Sequence, residues 1–317
     1  MSEQQRGVHY LTITAKEAGQ RLDNFLFKTY PSIPKSRIYQ MLRKGEVRRN
    51  KKRIEASDKL VLGDEIRMPP VRFEEKNRAS VPPYWCERIQ NAVVFEDERF
   101  LVLNKPAGIA VHQGSANPYG VIDVVYALWG EGYAELAHRI DRETSGLLIL
   151  GKTHESLADI QAQIQAGTVE KKYWCLVRGG WAKMKTVRLN VRKIQAEDGE
   201  RMMNGEEGKE AITHFKRLSE FKALSTPETM SLLEATIETG RTHQIRLSVQ
   251  HCGSAIAGDD KYGDREFNKA LKRLGYRDMF LHAHTIAFDL NPETRLVLEA
   301  PLPQSALQLL DTLIPQS

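Results

Sequence analysis

A single carboxylate, Asp141, lies between two arginines, Arg139 and Arg142, in the segment 138–145 (HRIDRETS). Guanidinium groups on both sides favour the ionised form of a carboxylate. An ionised carboxylate in a pocket can act as a nucleophile or as a general base. The alternative is structural, because aspartates are common in turns, where they pair with arginines or cap helices. The octapeptide alone leaves both interpretations open.

The residues around this segment indicate what must hold Asp141 in place. The apolar run 146–150 (GLLIL) predicts a buried strand directly after it. A charged loop that leads into a buried strand lets a rigid scaffold present a reactive group. The distant segment 240–246 (GRTHQIR) is rich in hydrogen-bond donors and lies at a predicted strand-to-helix junction. A guanidinium from this segment can pair with Asp141 and keep it ionised.

Two side chains in other predicted strands can complete a binding pocket. Tyr173 ends the segment 171–173 (KKY), and its ring can stack on a nucleobase. Leu281 lies in the apolar strand 280–284 (FLHAH). Each residue also has a structural interpretation, in which Tyr173 and Leu281 fill the core and Arg246 is a surface arginine of a helix.

The sequence offers little support for metal, nucleotide or serine-hydrolase chemistry. It contains no His-Glu-x-x-His, no glycine-rich phosphate loop and no Gly-x-Ser-x-Gly elbow. His282 and His284 are two residues apart, which places them on one face of a strand, but a third ligand is not evident. We therefore expect no metal and no other cofactor.

The composition is that of a soluble globular protein with one large domain or two unequal ones. The 317 residues are 41% hydrophobic and 27% charged. No apolar run approaches the roughly 18–20 residues that span a bilayer, and the N-terminal residues do not resemble a secretory signal. Three widely spaced cysteines match neither a disulfide framework nor a zinc motif. We expect a cytoplasmic protein with no membrane partner.

Positive charge is concentrated near the N-terminus. Residues 20–72 hold fourteen Lys and Arg against six Asp and Glu, a net of +8, whereas the whole chain has a net charge of +5. The rest of the chain is therefore negative. A concentrated basic block is typical of a nucleic-acid-binding surface, and a solvated lysine-rich surface is the alternative.

The basic block has the pattern of a small folded module over residues 17–72. Apolar residues at helical spacing predict two short helices, the second opened by Pro34 and ended by Gly45. Short strands follow, including one at 60–66 after a turn at 50–52. The predicted buried helix faces comprise Leu22, Phe25, Leu26, Tyr30, Ile38, Met41 and Leu42. The cations expected to contact nucleic acid are Lys35, Arg37, Arg43, Lys44, Lys51, Lys52 and Arg53.

A proline-rich linker is predicted over residues 73–91, and a larger domain over 92–317. Strands outnumber helices in this larger domain and rarely alternate with them. The pattern favours an α+β fold with a mixed, largely antiparallel sheet over a doubly wound one. The predicted helices are 154–166 and 241–251, and the predicted strands are 93–95, 100–103, 146–150, 173–177, 231–238 and 280–290.

Taken together, the site residues carry a family signature. The segment 138–146 (HRIDRETSG) resembles the catalytic motif of the RluA-type pseudouridine synthases. Ile140 stands where that motif usually has leucine, which is a mild change. The resemblance covers about residues 90–303. It extends to 103–108 (LNKPAG), 171–173 (KKY), 208–211 (GKEA), 239–246 (TGRTHQIR) and 280–283 (FLHA).

The N-terminal block resembles a small α/β RNA-binding fold first known from a ribosomal small-subunit protein, of the protein-four type. That likeness rests on 19–23 (GQRLD), 34–38 (PKSRI), 45–47 (GEV) and 50–53 (NKKR). Within the synthase family, the chain is most like the RluC subgroup, whose members act on uridines of 23S ribosomal RNA. The subgroup likeness is carried by 50–54 (NKKRI), 63–72 (GDEIRMPPVR) and 260–267 (DKYGDREF).

The resemblance implies a role for each site residue. Asp141 is the nucleophile and attacks either the anomeric carbon of the ribose or C6 of the uracil. The base then detaches, rotates and rejoins the ribose through C5. Arg246 pairs with the aspartate, Tyr173 packs on the target base, and Leu281 lines the pocket. Arg139 helps to fill the space that the extruded nucleotide leaves.

The resulting hypothesis is an RNA pseudouridine synthase that isomerises specific uridines of 23S rRNA, at more than one site. Its expected partner is 23S rRNA or a large-subunit precursor, and we expect a monomer without a cofactor. Two alternatives stay open: a sister synthase acting on another rRNA site or on tRNA, and a non-catalytic RNA-binding assembly factor. A binding-only descendant would have no need to keep Asp141, Tyr173 and Arg246 together.

Overall fold

A computed structural model describes residues 4–30, 33, 35–73, 80–113, 118–196, 199–223 and 229–316. The chain divides into two compact units, Met1–Ser80 and Val81–Ser317. Within the described ranges, no helix is long and apolar enough to cross a membrane.

The N-terminal unit contains two helices and two small antiparallel sheets. Strands β1 and β6 pair with each other, and a four-stranded sheet has the order β2-β5-β3-β4. The elements are β1 (Gln4–Arg6), β2 (His9–Thr12), α1 (Leu22–Thr29), α2 (Lys35–Lys44), β3 (Arg48–Arg49), β4 (Lys52–Arg53), β5 (Glu65–Met68) and β6 (Val71–Phe73).

Both helices of this unit confirm the predicted apolar spacing. All seven residues predicted for their inner faces are buried. Helix α2 ends before Gly45, whose φ of +68° suits glycine because it has no Cβ. The predicted opening residue, Pro34, lies outside the described residues. The seven cations predicted to contact nucleic acid are all exposed.

A tight hairpin presents three of these cations. Asn50 and Lys51 have positive φ values of 49° and 66°, which form the two-residue loop between β3 and β4. The Asn50 amide donates to Asp64 at 2.8 Å and accepts the Glu65 N–H at 2.8 Å, which fixes the loop. Lys51, Lys52 and Arg53 therefore project from a defined turn.

The strand predicted for 60–66 is wrong over most of its length, because β5 begins only at Glu65. Asp64 accepts the Val61 N–H through its side chain at 2.8 Å, and Gly63 has a φ of +84°. These two features make a turn, and the apolar Val61 and Leu62 are left exposed.

The second unit is built on one large, mixed sheet. Its main path has the order β13-β12-β14-β15-β11-β16-β10-β8-β7, and β17, β18 and β9 pair at the side with β16, β14 and β10. The strands are β7 (Val93–Glu96), β8 (Phe100–Lys105), β9 (Glu135–Leu136), β10 (Ser145–Gly151), β11 (Glu170–Arg178), β12 (Met184–Ala196), β13 (Gly199–Asn204), β14 (Lys209–Ala223), β15 (Thr229–Ile237), β16 (Leu281–Asn291), β17 (Thr294–Glu299) and β18 (Leu313–Gln316). The helices are α3 (Pro83–Gln90), α4 (Val121–Trp129), α5 (His154–Ala166), α6 (Gln244–His251), α7 (Arg265–Arg273) and α8 (Gln304–Asp311).

The predicted α+β class is confirmed, and so is the largely antiparallel character of the sheet. Among the strand pairs described, β10 and β16 run parallel, whereas the others are antiparallel. Helix α5 matches its predicted bounds. Helix α6 begins three residues later than predicted, because His243 has a left-handed backbone.

The linker predicted for 73–91 is wrong over 83–90. These residues form α3, with Pro83 in its first turn, where the missing N–H of proline costs no hydrogen bond. Ile89 of α3 is fully buried in the main core of the second unit, and Val81, Trp85 and Cys86 pack against that core. Residues 74–79 of the predicted linker lie outside the described residues.

The parallel contact between β10 and β16 requires a glycine at its centre. Gly146 pairs with Ala283 and has a φ of +106°. A Cβ at this position would lie 2.3 Å from the Ala283 carbonyl oxygen. Since β10 follows the Asp141 loop and β16 carries Leu281, this close approach sets the distance between two sides of the candidate site.

We expect Gly146→Ala to force β10 away from β16 and to lower the free energy of unfolding by about 1–3 kcal/mol. Urea denaturation of the full chain measures this loss. The matched control is Gly130→Ala, since Gly130 has a φ of +100° but no atom lies within 4 Å of the place that a Cβ would take. Equal losses in the two variants would show that backbone strain, and not the contact with β16, explains the requirement for glycine.

Candidate active site

Asp141 lies in the loop between β9 and β10, and backbone contacts fix this loop on both sides. The Thr144 N–H donates to the Asp141 carbonyl at 3.2 Å, and the Gly108 N–H donates to the Arg142 carbonyl at 2.9 Å. Before the loop, His138 accepts the Ile149 N–H of β10 on its Nε2 at 3.1 Å. The carboxylate is therefore presented by a constrained loop.

A buried lysine ties this loop to the end of β8. The Nζ of Lys105 donates to the carbonyl oxygens of Pro106, Ile109 and Arg142 at 2.8, 2.9 and 3.1 Å. Burial lowers the pKa of Lys105 to about 7, and the charges of Glu143 and Asp141 oppose that shift. Three carbonyl acceptors match the three N–H donors of an ammonium group. Lys105 thus connects the turn after β8 to the Asp141 loop.

The guanidinium that contacts Asp141 comes from Arg246 on α6. Its Nη1 donates to Asp141 Oδ2 at 3.1 Å, and its Nε and Nη2 each donate to Asp259 at 2.7 Å. The side chains of Arg246 and Asp259 are only 8% and 1% exposed. Asp259 also accepts the backbone N–H groups of Lys261 and Tyr262. Arg246 is therefore held from behind and directed at Asp141.

The pKa values of this cluster follow from burial and pairing. Burial alone would raise the pKa of Asp259, but hydrogen bonds and charge from Arg246 outweigh it and lower that pKa. Burial acts to lower the pKa of Arg246, and the two carboxylates Asp259 and Asp141 raise it overall. Arg246 and Asp259 are thus both ionised at neutral pH.

One side of Asp141 opens onto a cavity of about 70 Å³ with an apolar wall. Tyr173, Leu281, Ile237 and Ile245 line it beside Asp141. Tyr173 is buried on β11, directly after an irregularity in its pairing with β16, and such bulges redirect side chains. Burial, and next the charge of Asp141, raise the pKa of Tyr173, so the phenol is neutral. A flat ring can be enclosed between these walls.

Asp141 also lines a wider hollow of about 410 Å³. It is lined by polar and cationic side chains, including His112, Arg139 and Arg142. Arg139 is exposed and lines both spaces. Asp141, with 19% of its side chain exposed, lines both spaces.

The structure brings together Asp141, Arg246, Tyr173, Leu281 and Arg139, although they come from four separate regions of the chain. The two flanking arginines have different surroundings. Arg142 pairs through its side chain with Glu143 at 3.1 Å and uses its backbone carbonyl to anchor the loop.

Three functional candidates were not identified from the sequence: Asp259, Lys105 and His243. Lys105 and His243 lie inside motifs noted above, but only their contacts reveal what they do. Asp259 lies one residue before the segment 260–267, and a carboxylate preceded by glycine gave no signal of its own. Its partner, Arg246, is thirteen residues away.

Comparisons with known proteins show the family to which the chain belongs. Residues 99–251 match the family model "RNA pseudouridylate synthase", and residues 20–66 match the S4 domain. A ribosomal large subunit pseudouridine synthase C from Haemophilus influenzae is 43% identical, covering 89% of this chain and 87% of its own. The protein of that name from Escherichia coli K12 is 42% identical, covering 99% of both chains.

Solved structures support the fold of the second unit. Human RNA pseudouridylate synthase domain containing 4 has a TM-score of 0.58 and 23% identity, covering 72% of this chain and 95% of its own. Human RNA pseudouridylate synthase domain containing 1 has a TM-score of 0.60 and 20% identity, covering 75% of this chain and 92% of its own. The family resemblance predicted from the motifs is confirmed. The chain belongs to the RNA pseudouridylate synthase family, in its RluA-type branch, and carries an S4 domain in its N-terminal unit.

Proposed function

We propose that this enzyme converts specific uridines of 23S ribosomal RNA, at more than one site, into pseudouridine. The observation that carries the proposal is the Asp141 carboxylate, held by Arg246 at the mouth of a cavity lined by Tyr173 and Leu281. The substrate follows from relatives that match nearly the whole chain and are named for the ribosomal large subunit.

In this proposal Asp141 is the nucleophile. It attacks the ribose anomeric carbon or C6 of the uracil, the bond between N1 and the ribose breaks, and a bond between C5 and the ribose replaces it. Arg246 orients Asp141, because its other two donors are fixed on Asp259. The reaction is an isomerisation with no net oxidation or reduction, so Asp141 can perform it without a cofactor.

A base inside folded RNA must leave its stack before Asp141 can reach it, and unstacking costs a few kcal/mol. We propose that stacking on Tyr173 and enclosure by Leu281 offset this cost. Arg139 lines both spaces beside Asp141. We propose that its side chain helps to fill the space that the extruded nucleotide leaves in the RNA.

We assign RNA binding to residues 17–72 and catalysis to residues 92–317. The seven exposed cations of the first region lie on α2 and on the hairpin after it. They provide attraction to phosphate without reading sequence. We propose that the enzyme acts in the cytoplasm, as a monomer, on 23S rRNA or a large-subunit precursor.

Asp141→Asn keeps the shape of the side chain but removes the nucleophile. We expect pseudouridine formation in 23S rRNA transcripts to fall by about 10⁴-fold or more, with RNA affinity changed less than about twofold. Mass spectrometry of RNA digests and filter binding measure the two effects. Asp260→Asn is the control, since that side chain is 82% exposed. Retained turnover in Asp141→Asn would contradict the nucleophile assignment, whereas no turnover by the unaltered protein would favour the non-catalytic assembly factor.

Asp259→Asn leaves the buried Arg246 without its bidentate partner. We expect the free energy of unfolding to fall by about 3 kcal/mol, and turnover to fall while the affinity for RNA is kept. The control is Asp289→Asn, because its pair with Arg295 is half exposed and worth under about 1 kcal/mol. A stable Asp259→Asn variant with full turnover would contradict the supporting role of Asp259.

The triple variant Arg43→Gln, Lys44→Gln and Lys52→Gln tests the basic surface. Each phosphate contact contributes about 0.7–0.9 to the slope of log affinity against log salt. Loss of three contacts should therefore reduce that slope by about 2, without changing the fold of the unit. Arg265→Gln, Lys269→Gln and Lys272→Gln on α7 remove the same charge as a control. Equal slopes in the two triple variants would show that the N-terminal cations do not contact phosphate.

A further inference from the structure

One face of the four-stranded sheet in the N-terminal unit carries an aromatic ring and three arginines in a single row. Tyr10 of β2 pairs with Arg67 of β5. Arg48 of β3 pairs with Arg67 on one side and with Arg53 of β4 on the other. Directly opposed residues of antiparallel strands project from the same face of a sheet. These four residues, the outer row, therefore span three strand spacings, or about 14 Å.

The outer row faces away from the core of its unit. Ile66 and Met68, the neighbours of Arg67 along β5, are fully buried in that core. By contrast, Tyr10 is 56% exposed, and Arg48 and Arg53 are exposed as well. The Tyr10 ring thus contributes little to the core of its unit and is accessible to a partner.

The three arginines of the outer row are held in place by the end of α2. Each donates one hydrogen bond to a backbone carbonyl in the last residue of α2 or directly after it. The pairs are Arg67 Nη1 with Glu46 at 2.9 Å, Arg48 Nε with Gly45 at 3.3 Å, and Arg53 Nη2 with Lys44 at 3.5 Å. Because a guanidinium has five N–H donors, most donors of each arginine remain available for a ligand.

The positive charge of the outer row has little compensation within the unit. Among the residues that the structure describes, Arg48, Arg53 and Arg67 form no ion pair with a carboxylate. The ion pairs described in this unit use other arginines, in Arg21–Asp23, Arg37–Glu46 and Arg49–Asp64. The exposed Glu65, two residues before Arg67 on the same face, is one carboxylate against three guanidiniums. Such a surface attracts a polyanion.

The aromatic ring and the cations together favour one form of RNA. Cations alone attract any phosphate backbone, whether paired or unpaired. Tyr10 can stack only on a base whose face is uncovered, and the bases inside a helix are covered on both faces. An aromatic ring beside a track of cations is typical of sites that bind single strands. The outer row therefore fits unpaired nucleotides.

We propose that the outer row binds an unpaired segment of the RNA substrate, with one base stacked on Tyr10 and the adjoining phosphates on the three arginines. The inference rests on the proposed function, since it names the form of RNA that the N-terminal unit holds while the second unit acts on a uridine. Tyr10 and Arg67 lie outside the residues 20–66 that match the S4 domain, so the binding surface extends beyond that match.

The first test detects stacking with the full chain and a short single strand of cytidine that carries 2-aminopurine at each position in turn. Stacking quenches the fluorescence of 2-aminopurine, and we expect quenching when the protein binds. Tyr10→Leu keeps an apolar side chain without a ring, so quenching should be lost and affinity should fall by about 10-fold. Tyr10→Phe should retain both. Tyr84→Leu in the second unit is the control, because Tyr84 is also 56% exposed.

The second test detects the phosphate contacts of the arginines. Arg48→Gln, Arg53→Gln and Arg67→Gln should each reduce the slope of log affinity against log salt by about 0.7, the value for one contact to a single strand. Tyr10→Leu should leave this slope unchanged, because tyrosine is uncharged. Arg273→Gln, an exposed arginine at the end of α7, is the control. Thermal unfolding shows whether each variant is folded.

Three results would overturn the proposal. The first is unchanged affinity and quenching in Tyr10→Leu. The second is equal affinity for the single strand and for a fully paired duplex. The third is a set of folded arginine variants that lose thermal stability while keeping the salt slope, which is the result that a role at the end of α2 alone predicts.

A further measurement separates this inference from the proposed function. With 23S rRNA transcripts, we expect Tyr10→Leu to raise KM and to leave kcat unchanged, because Tyr10 is assigned to binding. If the unaltered enzyme quenches the single strand through Tyr10 but forms no pseudouridine in 23S rRNA, the outer row is supported and the proposed substrate is contradicted. If it modifies 23S rRNA but Tyr10→Leu changes neither KM nor quenching, only the outer row is contradicted.

Discussion

A buried guanidinium shared by two carboxylates is the interaction on which the site depends. Removing three such charges from water costs several kcal/mol for each ion, and only well-aligned partners offset that cost. Arg246 meets this requirement by donating twice to Asp259 and once to Asp141. Since Asp259 has further backbone donors, the orientation of Arg246 is set before any substrate arrives. Arg246 gives two hydrogen bonds to Asp259 and one to Asp141. Asp141 is also the more exposed carboxylate, so its remaining oxygen lone pairs can face a substrate.

The sheet supplies the second constraint, because it decides how closely the walls of the cavity approach. The parallel contact of β10 with β16 at Gly146 brings the Asp141 loop next to Leu281. Tyr173 pairs with Ala283 on one side and with Ala235 on the other, directly after the irregularity in β11. Small residues thus flank the aromatic ring, and the ring can face the cavity without a clash across the sheet.

Much of this architecture could be predicted from local patterns. The apolar spacing of α1, α2 and α5 marks their inner faces, and glycines mark the ends of α2 and α5. The motifs that carry the family resemblance identified five site residues that the structure places around one cavity. Features that depend on tertiary contacts could not be read in this way. The role of Asp259 follows only from its contact with Arg246. The left-handed backbone of His243, after which α6 begins, has no local sequence signal.

Local patterns also failed where one side chain changes the path of the chain. The apolar run at 60–62 is typical of a strand, but Asp64 closes a turn there through its own carboxylate. The prolines at 82–83 are typical of a linker, but Pro83 lies in the first turn of α3, and Ile89 commits that helix to the core. In both cases the contacts of one side chain, Asp64 or Ile89, decide the local structure, although the composition of the segment favours another one.

The two kinds of charge in this chain have different physical consequences. The cations of α2 and the following hairpin are exposed to water, where salt screens them over about 10 Å at 0.1 M. The charges of Arg246, Asp259 and Asp141 are largely buried, so screening affects them much less. Salt should therefore weaken the capture of RNA while the chemistry on a base already bound changes little. The charges proposed for binding and those proposed for catalysis are thus separate sets of ions that respond differently to salt.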